Sequence, residues 1–125
     1  MNHKIIFKEI PRNDIRRTIE IACYLGCIKI GSLELEDCVE HGRMVKRKIW
    51  DFRVCWSYRC KGYGSAILEY TLKKYNDYPI ELGACPFDDS PLSLKQTIDF
   101  YKKFGFVELD NYNFYSIMRL EKKQI

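Results

Sequence analysis

A chain of 125 residues that is 46% hydrophobic can close one hydrophobic core but is too short for two. Its formal net charge of +4 is spread along the sequence among acidic residues, which does not favour nucleic acid as a partner. The first residues lack the apolar run of a secretion signal, and no stretch approaches the roughly 18 apolar residues of a membrane span, so we expect one cytoplasmic domain, residues 1–125, with no membrane partner.

The first half of the chain is predicted to form strands. Alternating apolar and polar residues place four of them at residues 4–9, 18–24, 27–35 and 48–55. A turn is predicted at residues 11–14. The polar stretch 36–46 is predicted to be a loop, and the Lys-Arg-Lys run at residues 46–48 a solvated edge.

In the fourth predicted strand, alternation separates two chemically distinct faces. They are Trp50, Phe52 and Val54 on one face, and Asp51, Arg53 and Cys55 on the other.

A basic turn with two glycines follows this strand. It reads Arg59-Cys60-Lys61-Gly62-Tyr63-Gly64, and a helix is predicted to begin at Ser65. Gly62 and Gly64 lack Cβ atoms, so the backbone can take positive φ and approach an anion closely. The helix start adds free N–H groups and the positive end of its dipole. A phosphate site is therefore predicted here, although the glycine spacing matches neither a P-loop nor the dinucleotide fingerprint.

The second half alternates helices and strands. Helical spacing of apolar residues predicts helices at residues 65–76 and 92–104. A strand at residues 78–85 and a loop at 86–91 lie between them, and a closing hairpin uses residues 106–109 and 113–120. The order favours an α/β (α+β) fold with two main helices and a mixed, mostly antiparallel sheet, whose parallel pair flanks the glycine turn.

Six cysteines raise the question of disulfides or a metal. Most of them fall in predicted strands or in the glycine turn, which favours free thiols in a reducing compartment over a disulfide framework. The spacings from Cys23 to Cys27 and from Cys55 to Cys60 do not match those of zinc sites. We expect no metal.

Two motifs in this order resemble those of the Gcn5-related N-acetyltransferase (GNAT) family. The glycine turn is similar to the family's Arg/Gln-x-x-Gly-x-Gly/Ala signature, with Phe52-Arg53-Val54 before it and Ala66-Ile67-Leu68 after it. Downstream, Phe100-Tyr101-Lys102-Lys103-Phe104-Gly105-Phe106 is similar to the family's second signature. The resemblance covers roughly residues 23–120.

The resemblance implies acetyl-coenzyme A as co-substrate, bound by its pyrophosphate. The implied cofactor-binding residues are Val54, Arg59, Cys60, Lys61, Gly62, Tyr63, Gly64 and Ser65. It also implies that the Val54 backbone donates to the oxyanion and that Tyr101 protonates the leaving thiolate, although periodicity alone favours a core role for Tyr101. Asp51 is our first candidate for the base, with Glu34 and Glu81 as alternatives; a plain surface carboxylate is the competing interpretation of each.

One feature departs from the family. Its members usually insert two helices between their first two strands, and here only residues 11–17 are available. We therefore expect those helices to be shortened or absent. The sheet face that they normally cover is then predicted to expose an apolar patch, buried in a homodimer or against a partner. The apolar residues of the first three strands supply it, namely Ile5, Phe7, Ile19, Ile21, Cys23, Ile28, Ile30, Leu33 and Leu35.

Two functions remain open at this stage. The first is an N-acetyltransferase that moves the acetyl group of acetyl-coenzyme A to an amine of an unidentified acceptor, either a small molecule or a protein, by direct attack in a ternary complex. The alternative is a non-catalytic acyl-coenzyme-A-binding module with a regulatory or interaction role.

Overall fold

A seven-stranded sheet runs through the computed structural model, which describes residues 4–59, 61–86 and 93–122. In chain order the strands are β1 (Ile5–Asn13), β2 (Thr18–Leu25), β3 (Ile28–Glu40), β4 (Arg43–Val54), β5 (Ile80–Ala84), β6 (Val107–Asn111) and β7 (Ser116–Leu120). They lie side by side in the order β1-β2-β3-β4-β5-β7-β6. β4 and β5 are parallel, and the other neighbouring strands are antiparallel. The predicted mixed, mostly antiparallel fold is confirmed.

Two helices, α1 (Tyr63–Lys74) and α2 (Leu94–Lys102), complete the fold. α1 connects β4 to β5, and α2 connects β5 to β6. Both connections step in the same direction along the sheet, and crossovers between parallel strands are right-handed, so both helices lie on one face. We call this the helix face. The core lies beneath it, with Ile21, Leu33, Leu35, Ile67, Leu68, Phe106 and Met118 among its fully buried side chains. In the described ranges, neither helix has the length and apolar character needed to cross a membrane.

Local capping explains where α2 begins and ends. The Ser93 hydroxyl accepts the N–H of Gln96 at 3.2 Å, and the Gln96 side chain accepts the N–H of Ser93 at 2.9 Å, which is a capping box. Gly105, three residues after α2, has a φ of 97°, a conformation that favours glycine and terminates helices.

Residues 36–46, predicted to be a loop, instead extend β3 and β4 into a hairpin. The two strands meet at His41-Gly42, where both residues have positive φ, as a tight hairpin turn requires. Opposite charges face each other across the pair: Glu36 with Lys48, and Asp37 with Arg47. The loop prediction was wrong because such cross-strand pairs stabilise a hairpin that has few apolar residues.

The connection between β1 and β2 is a turn at residues 14–17. The Asn13 side chain organises it by accepting the N–H groups of Ile15 and Arg16, each at 3.0 Å. The turn lies further along the chain than predicted, because β1 is an edge strand and tolerates Pro11. The expected absence of two helices at this point is confirmed.

Arg47 lies in the interior rather than on the predicted solvated edge. Its exposure is 8%, and it forms ion pairs with Asp37 at 3.0 Å and Asp77 at 2.5 Å. Its guanidinium also lies over the rings of Tyr75 and Tyr78. Two carboxylates and two aromatic faces provide the partners that a buried arginine requires.

The sheet face opposite the helices, which we call the open face, carries mostly polar side chains. Directly paired residues share a face, so two rows run across it: Ile10-Glu20-Glu34-Trp50 and Thr18-Glu36-Lys48-Glu81-Arg119. Ion pairs join Glu81 to Lys46 at 3.0 Å and to Arg119 at 2.9 Å.

The predicted apolar patch on this face is therefore wrong. Of the residues expected to form it, Ile28 is exposed. The others are buried beneath the helix face or packed against that core, namely Ile5, Phe7, Ile19, Ile21, Cys23, Ile30, Leu33 and Leu35. Charged side chains give the open face its polar character. Dimer formation stays a prediction, which sedimentation equilibrium at micromolar concentration would test.

A β-bulge in β4 changes the faces predicted for that strand. Asp51 has a φ of 49°, and the pairing register shifts by one residue between Trp50 and Arg53. The extra residue leaves Trp50 on the open face, whereas Phe52 packs with the core cluster. Alternation alone had placed Trp50 and Phe52 together, and a bulge breaks that rule.

Glu9 attaches the edge strand β1 to α1. Its carboxylate accepts hydrogen bonds from the Tyr70 hydroxyl at 2.6 Å, the Tyr75 hydroxyl and the Lys74 ammonium. Burial by itself would raise the pKa of Glu9, but these three hydrogen bonds outweigh burial and hold that pKa below its ordinary value. On the same face, the ring of Phe7 stacks on Tyr70, with centroids 4.3 Å apart.

Glu9→Gln should lower the free energy of unfolding at neutral pH by roughly 1–3 kcal/mol, because it weakens hydrogen bonds to a charged group. The pKa of Glu9 is lower in the folded than in the unfolded chain, so its stabilisation is complete above the unfolded pKa and is lost as pH falls through the folded one. The two proteins should thus converge in stability in acid. Urea titrations over this pH range measure the difference, with Glu40→Gln, at an exposed strand end, as control. A gap that does not change with pH would contradict this role.

Candidate active site

β4 and β5 separate after a short stretch of pairing. The pairs join Arg47 to Ile80, Lys48 to Glu81 and Ile49 to Leu82. Beyond Ile49 the two strands diverge, and a cavity of about 480 Å³ opens between them. Its lining includes Trp50, Asp51, Phe52, Val54, Tyr58, Arg59, Gly62, Gly64, Ser65, Gly83, Cys85, Thr97, Phe100 and Tyr101. The cavity thus extends from the glycine turn to the aromatic side chains of α2.

The glycine turn forms the N-terminus of α1 at one end of the cavity. Gly62 is the N-cap residue and has a φ of 87°, a left-handed conformation that favours glycine. The first turn of the helix, Tyr63-Gly64-Ser65-Ala66, is uncharged. The first N–H groups of a helix lack partners within it, and they lie at the positive end of the dipole. This end of the cavity is chemically suited to an anion, and the predicted phosphate site lies here.

Arg59 and the backbone of Val54 meet at the same end. The Arg59 Nε donates a hydrogen bond to the Val54 carbonyl at 2.9 Å, and its guanidinium lies 5.3 Å from the Trp56 ring centroid. Cys55 donates its N–H to the carbonyl of Ile30 in β3. Since successive backbone groups of a strand point to opposite edges, the Val54 N–H points away from β3 and towards the gap.

Tyr101 is a buried side chain of the cavity wall. It is 9% exposed and packs edge-on against Phe100 and Phe106, with centroids 5.2 and 5.8 Å away. Burial raises the pKa of Tyr101, so the hydroxyl keeps its proton at neutral pH. Within the described ranges no hydrogen bond is recorded for this hydroxyl.

The three candidate bases have different surroundings. Asp51 lines the cavity at the bulge and is exposed. Glu81 has a side chain only 13% exposed and lies between Lys46 and Arg119. Burial alone would raise the pKa of Glu81, but both cations lower it overall, which makes it a weak base. Glu34 lies on the open face opposite Trp50 and does not line the cavity.

Most residues that the sequence proposed for the site converge on this cavity. Lys61 and Tyr63 belong to the same turn, but their side chains pack against Tyr58 instead, with Lys61 Nζ and the Tyr63 centroid each 6.0 Å from the Tyr58 centroid. Neither side chain is part of the cavity lining. Cys60 lies outside the described residues.

Sequence reasoning missed several lining residues. Tyr58 immediately precedes the glycine turn, and Phe100 is the first residue of the second motif, but neither had been assigned to the site. Thr97 lies one helical turn before Tyr101, on the same side of α2. Gly83 and Cys85 follow the last β4–β5 pair and had no local signal, because only the divergence of the strands exposes them.

Comparison with known proteins gives one family. Residues 19–108, most of the chain, match the family described as Acetyltransferase (GNAT) domain. No curated protein matches the chain.

Several solved structures share the fold. PH1933 from Pyrococcus horikoshii is 24% identical, with a TM-score of 0.64 over 84% of this chain and 66% of that one. Arabidopsis thaliana Naa50, in complex with the bisubstrate analogue CoA-Ac-MVNAL, is 23% identical, with a TM-score of 0.61 over 88% of this chain and 82% of that one. PaiA N-acetyltransferase from Thermoplasma acidophilum, in complex with coenzyme A, is 19% identical, with a TM-score of 0.61 over 84% of this chain and 61% of that one. The chain spans about two thirds of the length of the first structures it matches.

Proposed function

Because the chain belongs to the acetyltransferase (GNAT) domain family, we propose that it transfers the acetyl group of acetyl-coenzyme A to an amine. The amine attacks the thioester directly, in a ternary complex of protein and both substrates. The observation that carries this proposal is the cavity between β4 and β5, which joins a helix N-terminus suited to an anion with an apolar wall that contains a protonated tyrosine.

In this proposal the coenzyme A pyrophosphate lies at the start of α1. The backbone N–H groups from Gly62 to Ser65 hold it, while Arg59 and Lys61 contribute positive charge. Cys60, in the same turn, stays a predicted contact. The pantetheine arm then follows β4 into the gap. Aromatic side chains line that route, which suits the apolar parts of the arm.

Acetyl transfer also needs an oxyanion donor and a proton for the leaving thiolate. The Val54 N–H points into the gap and is proposed to stabilise the oxyanion. Tyr101 is proposed to donate the proton, since burial keeps its hydroxyl protonated. Of the candidate bases, Asp51 is favoured because it lines the cavity and Glu81 is held in ion pairs.

Calorimetric titration with acetyl-coenzyme A, followed by turnover assays on small amines, polyamines and peptides, tests the function. Binding with turnover supports the enzyme. Binding without turnover on any amine would identify the non-catalytic module instead, which the exposed position of Asp51 and the absent wall helices favour. Absence of binding would reject both.

The acceptor is proposed to approach from the open face, because the helices cover the other side of the gap. Gly83 is exposed on this route, and a Cβ added there would meet no atom within 4 Å. A larger side chain should thus fit without disturbing the fold while it obstructs the acceptor. Along the series Gly83→Ala, Gly83→Val and Gly83→Leu, we expect kcat/KM for the acceptor to fall progressively, by about tenfold or more at the end.

Steady-state kinetics and calorimetry on the three variants separate this effect from cofactor binding. The Kd for acetyl-coenzyme A should change little. Equal kcat/KM across the series would show that the acceptor uses another route.

A further inference from the structure

Cys85 is an exposed free thiol on the wall of the cavity. It directly follows β5, where that strand has diverged from β4. The Cys85 Sγ makes a weak contact with the Pro86 carbonyl oxygen, at 3.6 Å. Cys27 and Cys55 are also exposed, but neither lines this cavity.

The same cavity contains a second group that a ligand could contact, the Tyr101 hydroxyl. Tyr101 is nine-tenths buried and faces the cavity, and its hydroxyl has no recorded hydrogen bond with any described residue. No fully buried side-chain oxygen or nitrogen of the described residues lacks a partner, so the Tyr101 oxygen is accessible from the cavity, where a bound molecule can accept its hydrogen bond. Cys85 thus belongs to a built ligand cavity, unlike the other exposed thiols.

We propose that Cys85 is a covalent attachment site for coenzyme A through a disulfide, a proposal that rests on the proposed function. The reacting ligand is coenzyme A disulfide. The Cys85 thiolate attacks one of its sulfurs, the original S–S bond breaks, and a new S–S bond joins Cys85 Sγ to one coenzyme A. The other coenzyme A leaves as a thiolate and takes up the proton that Cys85 lost. Electrons balance without an external oxidant.

Binding should direct the reaction to this thiol. A disulfide held at the glycine turn by one coenzyme A half extends into the gap where Cys85 lies. Confinement raises the effective concentration of the reacting sulfur well above that in solution. The attached coenzyme A would then occupy the cavity and block acetyl transfer until a thiol reductant releases it.

The test incubates the full chain with coenzyme A disulfide and, in parallel, with glutathione disulfide. Intact mass should increase by one coenzyme A, peptide mapping should locate the adduct on Cys85, and dithiothreitol should reverse it. The rate with coenzyme A disulfide should exceed that with glutathione disulfide by about tenfold or more. Even a modest effective concentration of the bound disulfide would produce this difference. Cys85→Ser should prevent the adduct, and Cys27→Ser should not.

A matched pair of outcomes separates this inference from the proposed function. If acetyl-coenzyme A binds the reduced protein but the adduct lies on Cys27, Cys55 or Cys60, or forms no faster than with glutathione disulfide, the Cys85 inference fails alone. If acetyl-coenzyme A does not bind the reduced protein or Cys85→Ser, the proposed function fails, and the preference of Cys85 for coenzyme A disulfide should vanish with it.

Discussion

Gly64→Asp should weaken acetyl-coenzyme A binding at least about 100-fold, or about 2.7 kcal/mol, and leave the fold intact. Gly64 is the second residue of α1, and a Cβ there would lie 3.6 Å from Val54 Cγ2 and 3.9 Å from Phe100 Cζ, which are ordinary contacts. The new carboxylate would occupy the proposed phosphate position and repel the pyrophosphate. A negative charge in the first helical turn does not destabilise the helix.

Gly64→Asn is the matched control, because asparagine has nearly the same shape without the charge. We expect it to bind with an affinity between those of wild type and Gly64→Asp. Gly62 is a poorer test, since its φ of 87° strains any side chain and confounds binding with folding. Calorimetry gives the affinities, and thermal unfolding checks the fold. Wild-type affinity in Gly64→Asp would refute the assignment of the glycine turn.

Features encoded locally were predictable from the sequence. The glycine turn and the start of α1 lie within about six consecutive residues, and α2 carries its own cap in Ser93 and Gln96. Both helices were therefore placed to within two residues at each end. The order of strands and helices also restricted the sheet to one economical topology.

Features that depend on distant partners were not predictable. The hairpin at residues 36–46 is stabilised across two strands, and Arg47 is buried because Asp37 and Asp77 lie on separate elements. The polarity of the open face depends in the same way on pairings between strands.

The bulge at Asp51 limited the site prediction most. It has no sequence signal, yet it reverses the side of the sheet on which Trp50 lies. It also lies where β4 leaves β5, so the gap that exposes Gly83 and Cys85 was not predictable either. The side chains of Lys61 and Tyr63 do not line the cavity. The candidate residues that do line it are Asp51, Val54, Arg59, Gly62, Gly64, Ser65 and Tyr101.

Tyr101→Phe should lower kcat by roughly 100-fold or more, the usual scale for loss of a general acid, with little change in Kd for acetyl-coenzyme A. The ring would keep its contacts with Phe100 and Phe106. The hydroxyl has no hydrogen bond with any described residue, so its removal leaves no partner there unsatisfied. The variant should therefore fold like wild type. Burial raises the pKa of Tyr101, so a fall in wild-type kcat caused by its ionisation should come only above about pH 10, the ordinary tyrosine value.

Single-turnover kinetics on a preformed acetyl-coenzyme A complex isolate the chemical step from binding and release. Tyr112→Phe serves as control, because Tyr112 is half exposed and stacks on Tyr115, outside the lining of the cavity. A structural role for Tyr101 predicts reduced thermal stability with kcat largely kept, whereas a proton donor predicts the reverse. Unchanged turnover in Tyr101→Phe across the pH range would assign Tyr101 to the core and leave the thiolate to be protonated by solvent.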